Sequence, residues 1–118
     1  MKLCPLSSGS KGNCTFIEGT NTRILIDAGL SAKATLERLN HYEIDPESIN
    51  GILITHDHRD HIGGAGVIAR KWNIPIYLHH KTDSKVHTKL FTGKELIKHW
   101  DGEFQIGDLT ITPIEVSH

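Results

Sequence analysis

Ile52-Leu53-Ile54-Thr55-His56-Asp57-His58-Arg59-Asp60-His61-Ile62-Gly63-Gly64 is the stretch whose reading decides the fold. The opening Ile52 to Thr55 is an apolar run of strand length, the pattern of a strand covered on both faces. Three imidazoles and a carboxylate then fall within one short loop, directly before two glycines and a helix. Such a set makes sense if it converges on divalent metal, because neutral imidazole and ionised carboxylate are ligands for Zn²⁺ and similar ions. His56 and His58, two apart, can turn toward one metal while Asp60 and His61 turn toward a second. Gly63 and Gly64 let the backbone close around such a site. In a chain of this composition the pattern would arise by chance with a probability on the order of 0.003, so it is not read as an accident.

Upstream, Lys2 to Leu6 predicts a short strand, followed by a small-residue turn over Ser7 to Asn13. Cys14 to Glu18 and Thr22 to Asp27 read as strands joined by the hairpin signal Gly19-Thr20-Asn21. Arg23-Ile24-Leu25-Ile26 suits an inner strand, which stops at Asp27-Ala28-Gly29. Ser31 then caps a helix in which Ala32, Leu36 and Leu39 recur at i, i+4 and i+7. Asp45-Pro46 predicts a cap with proline at the first position of a single turn. Downstream, Ala65 to Trp72 reads as helix, Pro75 to Leu78 as strand and Glu95 to Trp100 as a further helix. Phe104 to Ile106 and Leu109 to Val116 form a second hairpin turning at Gly107-Asp108. The order β-β-β-α-β-α-β-α-β-β predicts an α/β chain, helices packed on a mixed sheet.

With 118 residues the chain is at most one small domain. No apolar run approaches the roughly 20 residues needed to cross a bilayer. Met1 to Leu6 holds no continuous apolar stretch of the secretion-signal kind, so a cytoplasmic protein is expected. Cys4 and Cys14 form neither a disulfide framework nor a CxxC clip and are expected to be reduced and structural. A net charge of -1 gives no global pull toward nucleic acid or an anionic membrane.

The run Thr55 to Gly64 resembles the HxHxDH signature of the metallo-β-lactamase superfamily. Ser8-Gly9-Ser10-Lys11-Gly12-Asn13 and Ile24-Leu25-Ile26-Asp27-Ala28-Gly29-Leu30-Ser31 further resemble its YycJ/WalJ subgroup, bacterial cytoplasmic hydrolases described as DNA exonucleases or phosphodiesterases. The resemblance implies the α+β four-layer class, an αββα sandwich, of which this chain would be the N-terminal half with helices on one face of a mixed sheet. It implies that His56, His58 and His118 hold a first metal, three histidines leaving an open position as in catalytic zinc sites. Asp60 and His61 would hold a second, Asp60 also holding or accepting a proton from the nucleophile. Asp27 would orient or polarise a ligand histidine from behind. Two divalent ions are implied, Zn²⁺ first and Mn²⁺ as the alternative, activating a water for attack on a phosphodiester, with DNA the favoured substrate.

The family also uses a bridging aspartate and a final histidine further along, and neither is supplied by residue 118. Residues 1–118 are therefore expected to be the N-terminal portion of a single domain whose C-terminal half is absent, with an incomplete second metal site. The inner sheet face would then be exposed and prone to self-association. A thioester- or lactone-type hydrolase of the same superfamily, or a catalytically incomplete metal-binding fragment, stands as the alternative.

Other features read more plainly. His41, His79, His80, His87 and His99 lack the spacing of a second site, and His80 alone, after a strand near the presumed rim, is a candidate for substrate contact. Ser7 to Asn13 lacks the GxxxxGK[ST] pattern of a phosphate loop and reads as a tight connection. Lys81, Lys85, Lys89, Lys94 and Lys98 against Asp83 and Glu95 give a local charge of +3, read first as a solvated face and second as a nucleic-acid strip. Arg59, between ligands, is a weaker candidate for a phosphate contact.

Overall fold

The computed structural model describes residues 1–7, 12–55, 64–79 and 97–113. Among the described residues, eight strands and two helices follow one another as β1 (Lys2–Ser7), β2 (Cys14–Glu18), β3 (Arg23–Ile26), α1 (Ala32–His41), β4 (Gly51–Leu53), α2 (Ala65–Trp72), β5 (Ile76–His79), β6 (Ile97–Trp100), β7 (Phe104–Ile106) and β8 (Leu109–Ile111). A single 3-10 turn, Pro46–Ser48, lies before β4, its Asp45 cap accepting from the Glu47 N–H at 2.9 Å. Strands β1 to β6 form one mixed sheet in sequential order, and β7 and β8 a separate two-stranded sheet.

Strands β1, β2 and β3 pair antiparallel, whereas β3, β4, β5 and β6 pair parallel. Pro5, which has no N–H to give, sits where it is tolerated, on the edge strand β1 beside a register shift. Because the parallel strands step in one direction, right-handed crossovers put α1 and α2 on the same sheet face. The helices touch each other there and share one core with Phe16, Leu25, Ile52, Ile54, Ile76 and Leu78. Burying each aliphatic side chain of this kind contributes about 1.5–3 kcal/mol, which is what holds short helices of modest intrinsic stability in place.

Helix α1 starts at Ser31, whose hydroxyl accepts from the Ala34 N–H at 3.1 Å. Leu39 of the apolar stripe is fully buried, and so is Thr35, whose hydroxyl donates to the Ser31 carbonyl at 2.9 Å. Helix α2 ends at Asn73 in the left-handed region (φ 57°), a C-terminal position where Asn is tolerated.

Two expectations are corrected. Ile97 to Trp100 is strand, not helix: each residue pairs with β5, from Ile76↔Ile97 to His79↔Trp100. Cross-strand pairing with an established neighbour outweighs the weak local preference of so short a segment. The final strand stops at Ile111, short of Pro113, which cannot donate to a ladder. The rest of the expected strand lies outside the described residues.

The β7–β8 hairpin covers part of the face opposite the helices. A side chain at Gly51 would meet the rings and methyls of Tyr77 and Ile106, and Tyr77 stacks on Phe104 with centroids 5.8 Å apart. Ile24 and Leu53 on this face are buried, whereas Leu3 at the β1 edge remains 63% exposed. The hairpin tip is fixed at long range. The Asp108 carboxylate accepts from the Thr20 and Asn21 N–H groups at 2.9 and 3.2 Å, and its own N–H donates to the Thr22 hydroxyl at 3.0 Å.

Candidate functional site

Strands β1, β3, β4, β5 and β6 all run the same way, so their carboxyl ends share one rim of the sheet. That rim is where open α/β sheets place ligands. Ser7, Asp27, Thr55, His79 and Trp100 stand along it.

Asp27 is its centre. The residue is 5% exposed and takes the left-handed backbone conformation (φ 62°) that Asp tolerates better than most. Its N–H donates to the Leu53 carbonyl at 2.7 Å. Its carboxylate accepts twice from the next strand, from the Thr55 N–H at 2.8 Å and the Thr55 hydroxyl at 2.7 Å. Thr55 is the residue before His56. At the far end of the same loop, the Gly64 N–H donates to the Ala28 carbonyl at 2.7 Å. Thr55 and Gly64, which flank residues 56–63 in sequence, are therefore tied to the consecutive residues Asp27 and Ala28.

Two glycines make the close approach possible. A side chain at Gly64 would run into the Leu30 carbonyl and sit 3.0 Å from the Ala32 nitrogen, both backbone atoms. Gly12, at φ 124°, faces the Gly29–Leu30 peptide at 2.8 Å from where a Cβ would be. The Asn13 carbonyl accepts the Gly29 N–H at 2.9 Å, and Ser7 closes the first connection through its hydroxyl to the Gly12 carbonyl at 2.9 Å. The backbones of Gly12–Asn13, Ala28–Leu30 and Gly64 thus pack directly on one another.

Cys14, fully buried at the start of β2, is a free thiol, as is half-buried Cys4. Burial first, and the nearby Asp27 carboxylate second, push the Cys14 thiol up to about 12, so it stays protonated and unreactive. This matches the reduced, structural role expected of the two cysteines.

Of the candidate site residues singled out in the sequence, Asp27 is described, bound to Thr55. His56, His58, Asp60, His61 and His118 lie outside the described residues, as do Arg59, His80 and the lysines from 81 to 94. Among the described residues no group of three or more His, Cys, Asp or Glu is placed to hold a metal. Thr55 was missed by sequence reasoning, although its place directly before His56 and after an apolar strand was a usable signal.

The described residues form a mixed sheet with helices on one face, and Thr55 and Gly64, the residues that flank segment 56–63, are both hydrogen-bonded to the Asp27–Ala28 turn at its carboxyl rim. The chain belongs to the metallo-beta-lactamase superfamily, whose family model matches residues 8–117. It is 38% identical to the exodeoxyribonuclease WalJ of Streptococcus pneumoniae serotype 2 over 99% of its own length and 45% of that protein's. It is 37% identical to the exodeoxyribonuclease YycJ of Bacillus anthracis over 96% of its own length and 44% of that protein's. The chain thus spans less than half the length of these curated relatives. Solved structures agree in fold: a B3 metallo-beta-lactamase with an active-site glutamic acid superposes with a TM-score of 0.73 at 22% identity, over 87% of this chain and 45% of that one. The BLEG-1 B3 metallo-beta-lactamase superposes at 0.68 and 22% identity, over 94% of this chain and 59% of that one. Proteins of the superfamily typically bind divalent metals. No helix among the described residues is long and apolar enough to cross a membrane.

Proposed function

We propose that this chain carries the metal-binding half of a DNA-directed phosphodiesterase, an exonuclease by the resemblance to its curated relatives. The observation that carries the reading is that Thr55 and Gly64, the residues on either side of the sequence run holding His56, His58, Asp60 and His61, are hydrogen-bonded to Asp27 and Ala28 at the carboxyl rim. The donor set fits the group: neutral imidazoles and an ionised carboxylate are what Zn²⁺ or Mn²⁺ takes. His56, His58 and His118 would hold a first ion, and Asp60 and His61 a second, incomplete in these residues. Bound there, such ions supply Lewis acidity and a water acidic enough to ionise near pH 7.

The chain's own residues supply the rest. Asp27 holds the strand β4 exit through Thr55, so the direction in which His56 leaves the sheet is set before any ligand arrives. Fixing the loop ends in advance lowers the ordering cost of binding. Asp60 would hold the proton of the attacking water. The YycJ and WalJ relatives favour a nucleic-acid end over a thioester or lactone. The localisation proposed with this reading is cytoplasmic, where DNA is met.

The test is hydrolysis by the purified chain, with Zn²⁺ or Mn²⁺ added, of end-labelled single- and double-stranded DNA beside a thioester and a lactone. Metal-dependent nucleotide release that is abolished in His58→Ala is the expected result. Turnover of the thioester or lactone with DNA untouched would overturn the substrate class.

A further inference from the structure

We propose that the groove between α1 and α2, on the side turned away from the sheet, docks an acidic peptide segment of a partner protein that carries one large apolar anchor. The groove measures about 490 Å³. Leu36, Val67 and Trp72 supply its apolar lining, and Lys33 of α1 and Lys71 of α2 its positive charge, against Glu37 as the one carboxylate.

The core does not require this surface. Helix α2 packs on the sheet through Ala65, Ile68 and Ala69, all buried, whereas Val67 is 47% exposed. A β-branched side chain on an exposed helix face lowers helix propensity and gains little burial in return. One exposed apolar residue is ordinary, but Val67 shares its groove with the part-buried Leu36 and Trp72, which makes a contiguous patch.

Charge tells the kind of partner. Among the described residues neither Lys33 nor Lys71 has a carboxylate within ion-pair distance. Lys71 instead holds its ammonium 5.0 Å over the Trp72 ring, which fixes a cation at the groove. An apolar lining between two unpaired ammonium groups matches a segment that sets one apolar side chain among carboxylates. Nucleic acid fits less well. Two lysines offset by Glu37 are little charge for a phosphate backbone, and Lys71 occupies a face of the Trp72 ring on which a base would stack.

The α1 wall from Ala32 to Asn40 is about 12 Å long at 1.5 Å per residue, room for about four extended peptide residues. Its upper end lies at the carboxyl rim, where Gly64 at the head of α2 packs against the Ser31–Ala32 backbone. A partner seated in the groove is therefore held next to the rim that carries Asp27 and Thr55.

The test is fluorescence anisotropy with the 118-residue chain and three labelled peptides. These are Glu-Asp-Phe-Asp-Glu, the same peptide with Gly in place of Phe, and Lys-Lys-Phe-Lys-Lys. Only the first should bind saturably, with amide NMR shifts confined to α1 and α2. Val67→Glu should weaken it by more than about tenfold, because a carboxylate would then stand in the apolar lining. Lys71→Glu should weaken it about three- to tenfold, and Glu37→Lys should tighten it by about as much. All three positions are exposed, so the thermal unfolding curves should stay in place. Equal binding of the peptide without Phe, preference for the basic peptide, no binding of any, or full affinity in Val67→Glu would overturn the proposal. So would displacement of the peptide by a single-stranded oligodeoxynucleotide whose own binding is lost in Lys71→Glu, which would make the groove a nucleic-acid surface.

Discussion

Removing the Asp27 carboxylate tests how the histidine loop is held. Two hydrogen bonds to an ionised acceptor would contribute about 3–6 kcal/mol if every group stayed dry. Thr55 is exposed, however, so water recaptures part of its N–H and hydroxyl, and about half that figure is expected. Alanine at φ 62° adds about 1 kcal/mol, because its Cβ crowds the following carbonyl in the left-handed region. Asp27→Ala should therefore destabilise the chain by about 2.5–4 kcal/mol, a large share of the roughly 5–15 kcal/mol of an ordinary domain. Asp27→Asn, which tolerates the backbone and keeps one acceptor, should cost only about 1–2 kcal/mol. Urea unfolding followed by circular dichroism reads both, and a double-mutant cycle with Thr55→Val should show a coupling of about 1 kcal/mol. Metal affinity should drop by about 10- to 100-fold in Asp27→Ala, as when an outer partner of a ligand is lost. A variant within 0.5 kcal/mol of the parent, or one that loses stability while binding metal unchanged, would refute the tether argument.

Further outcomes follow from the same contacts. Gly64→Ala should cost about 1–3 kcal/mol in urea unfolding, since the new methyl meets backbone at Leu30 and Ala32 that cannot swing aside. A thiol reagent at pH 8 should modify Cys4 in the folded chain and reach Cys14 only on unfolding. With its folded thiol at about 12 against an ordinary 9.0, Cys14 keeps its proton longer when folded. Its contribution is complete below pH 9 and lost as the pH rises toward 12, by up to about 1.4 kcal/mol per pH unit, and Cys14→Ser should flatten that alkaline limb of a stability profile. Asp108 behaves oppositely: the Thr22 hydroxyl first, with the Thr20 and Asn21 N–H groups adding to it, holds its carboxyl below the usual range against the opposing effect of desolvation. Its contribution is present above the ordinary carboxylate range and lost as the pH falls through the lowered value, so Asp108→Asn should weaken the acid limb.

Local signals carried much of this fold. Ser31 and Asp45-Pro46 announced their caps because capping is a matter of neighbouring atoms, and Ala65 to Trp72 kept its helical period from end to end. Thr22 to Asp27 was legible as an inner strand because both faces are apolar. Ile97 to Trp100 was not, since nothing within those four residues marks them as a strand and only the partner β5 does. The Asp108 clamp joins residues 86 to 88 apart in the chain, a distance over which periodicity has no reach. The candidate site divided similarly. Composition marked His56, His58, Asp60 and His61 as candidates, and these lie outside the described residues, whereas Asp27 was singled out by the family resemblance. That the Asp27 carboxylate accepts from Thr55 on the next strand depends on register, which one sequence does not reveal.

Metal content by elemental mass spectrometry, on the 118-residue chain and on His58→Ala, tests the central claim most directly. The account predicts about one Zn or Mn per chain in the parent and its loss in the variant. No bound metal in the parent, or equal metal in both, would contradict the assignment of the tethered loop as a metal site.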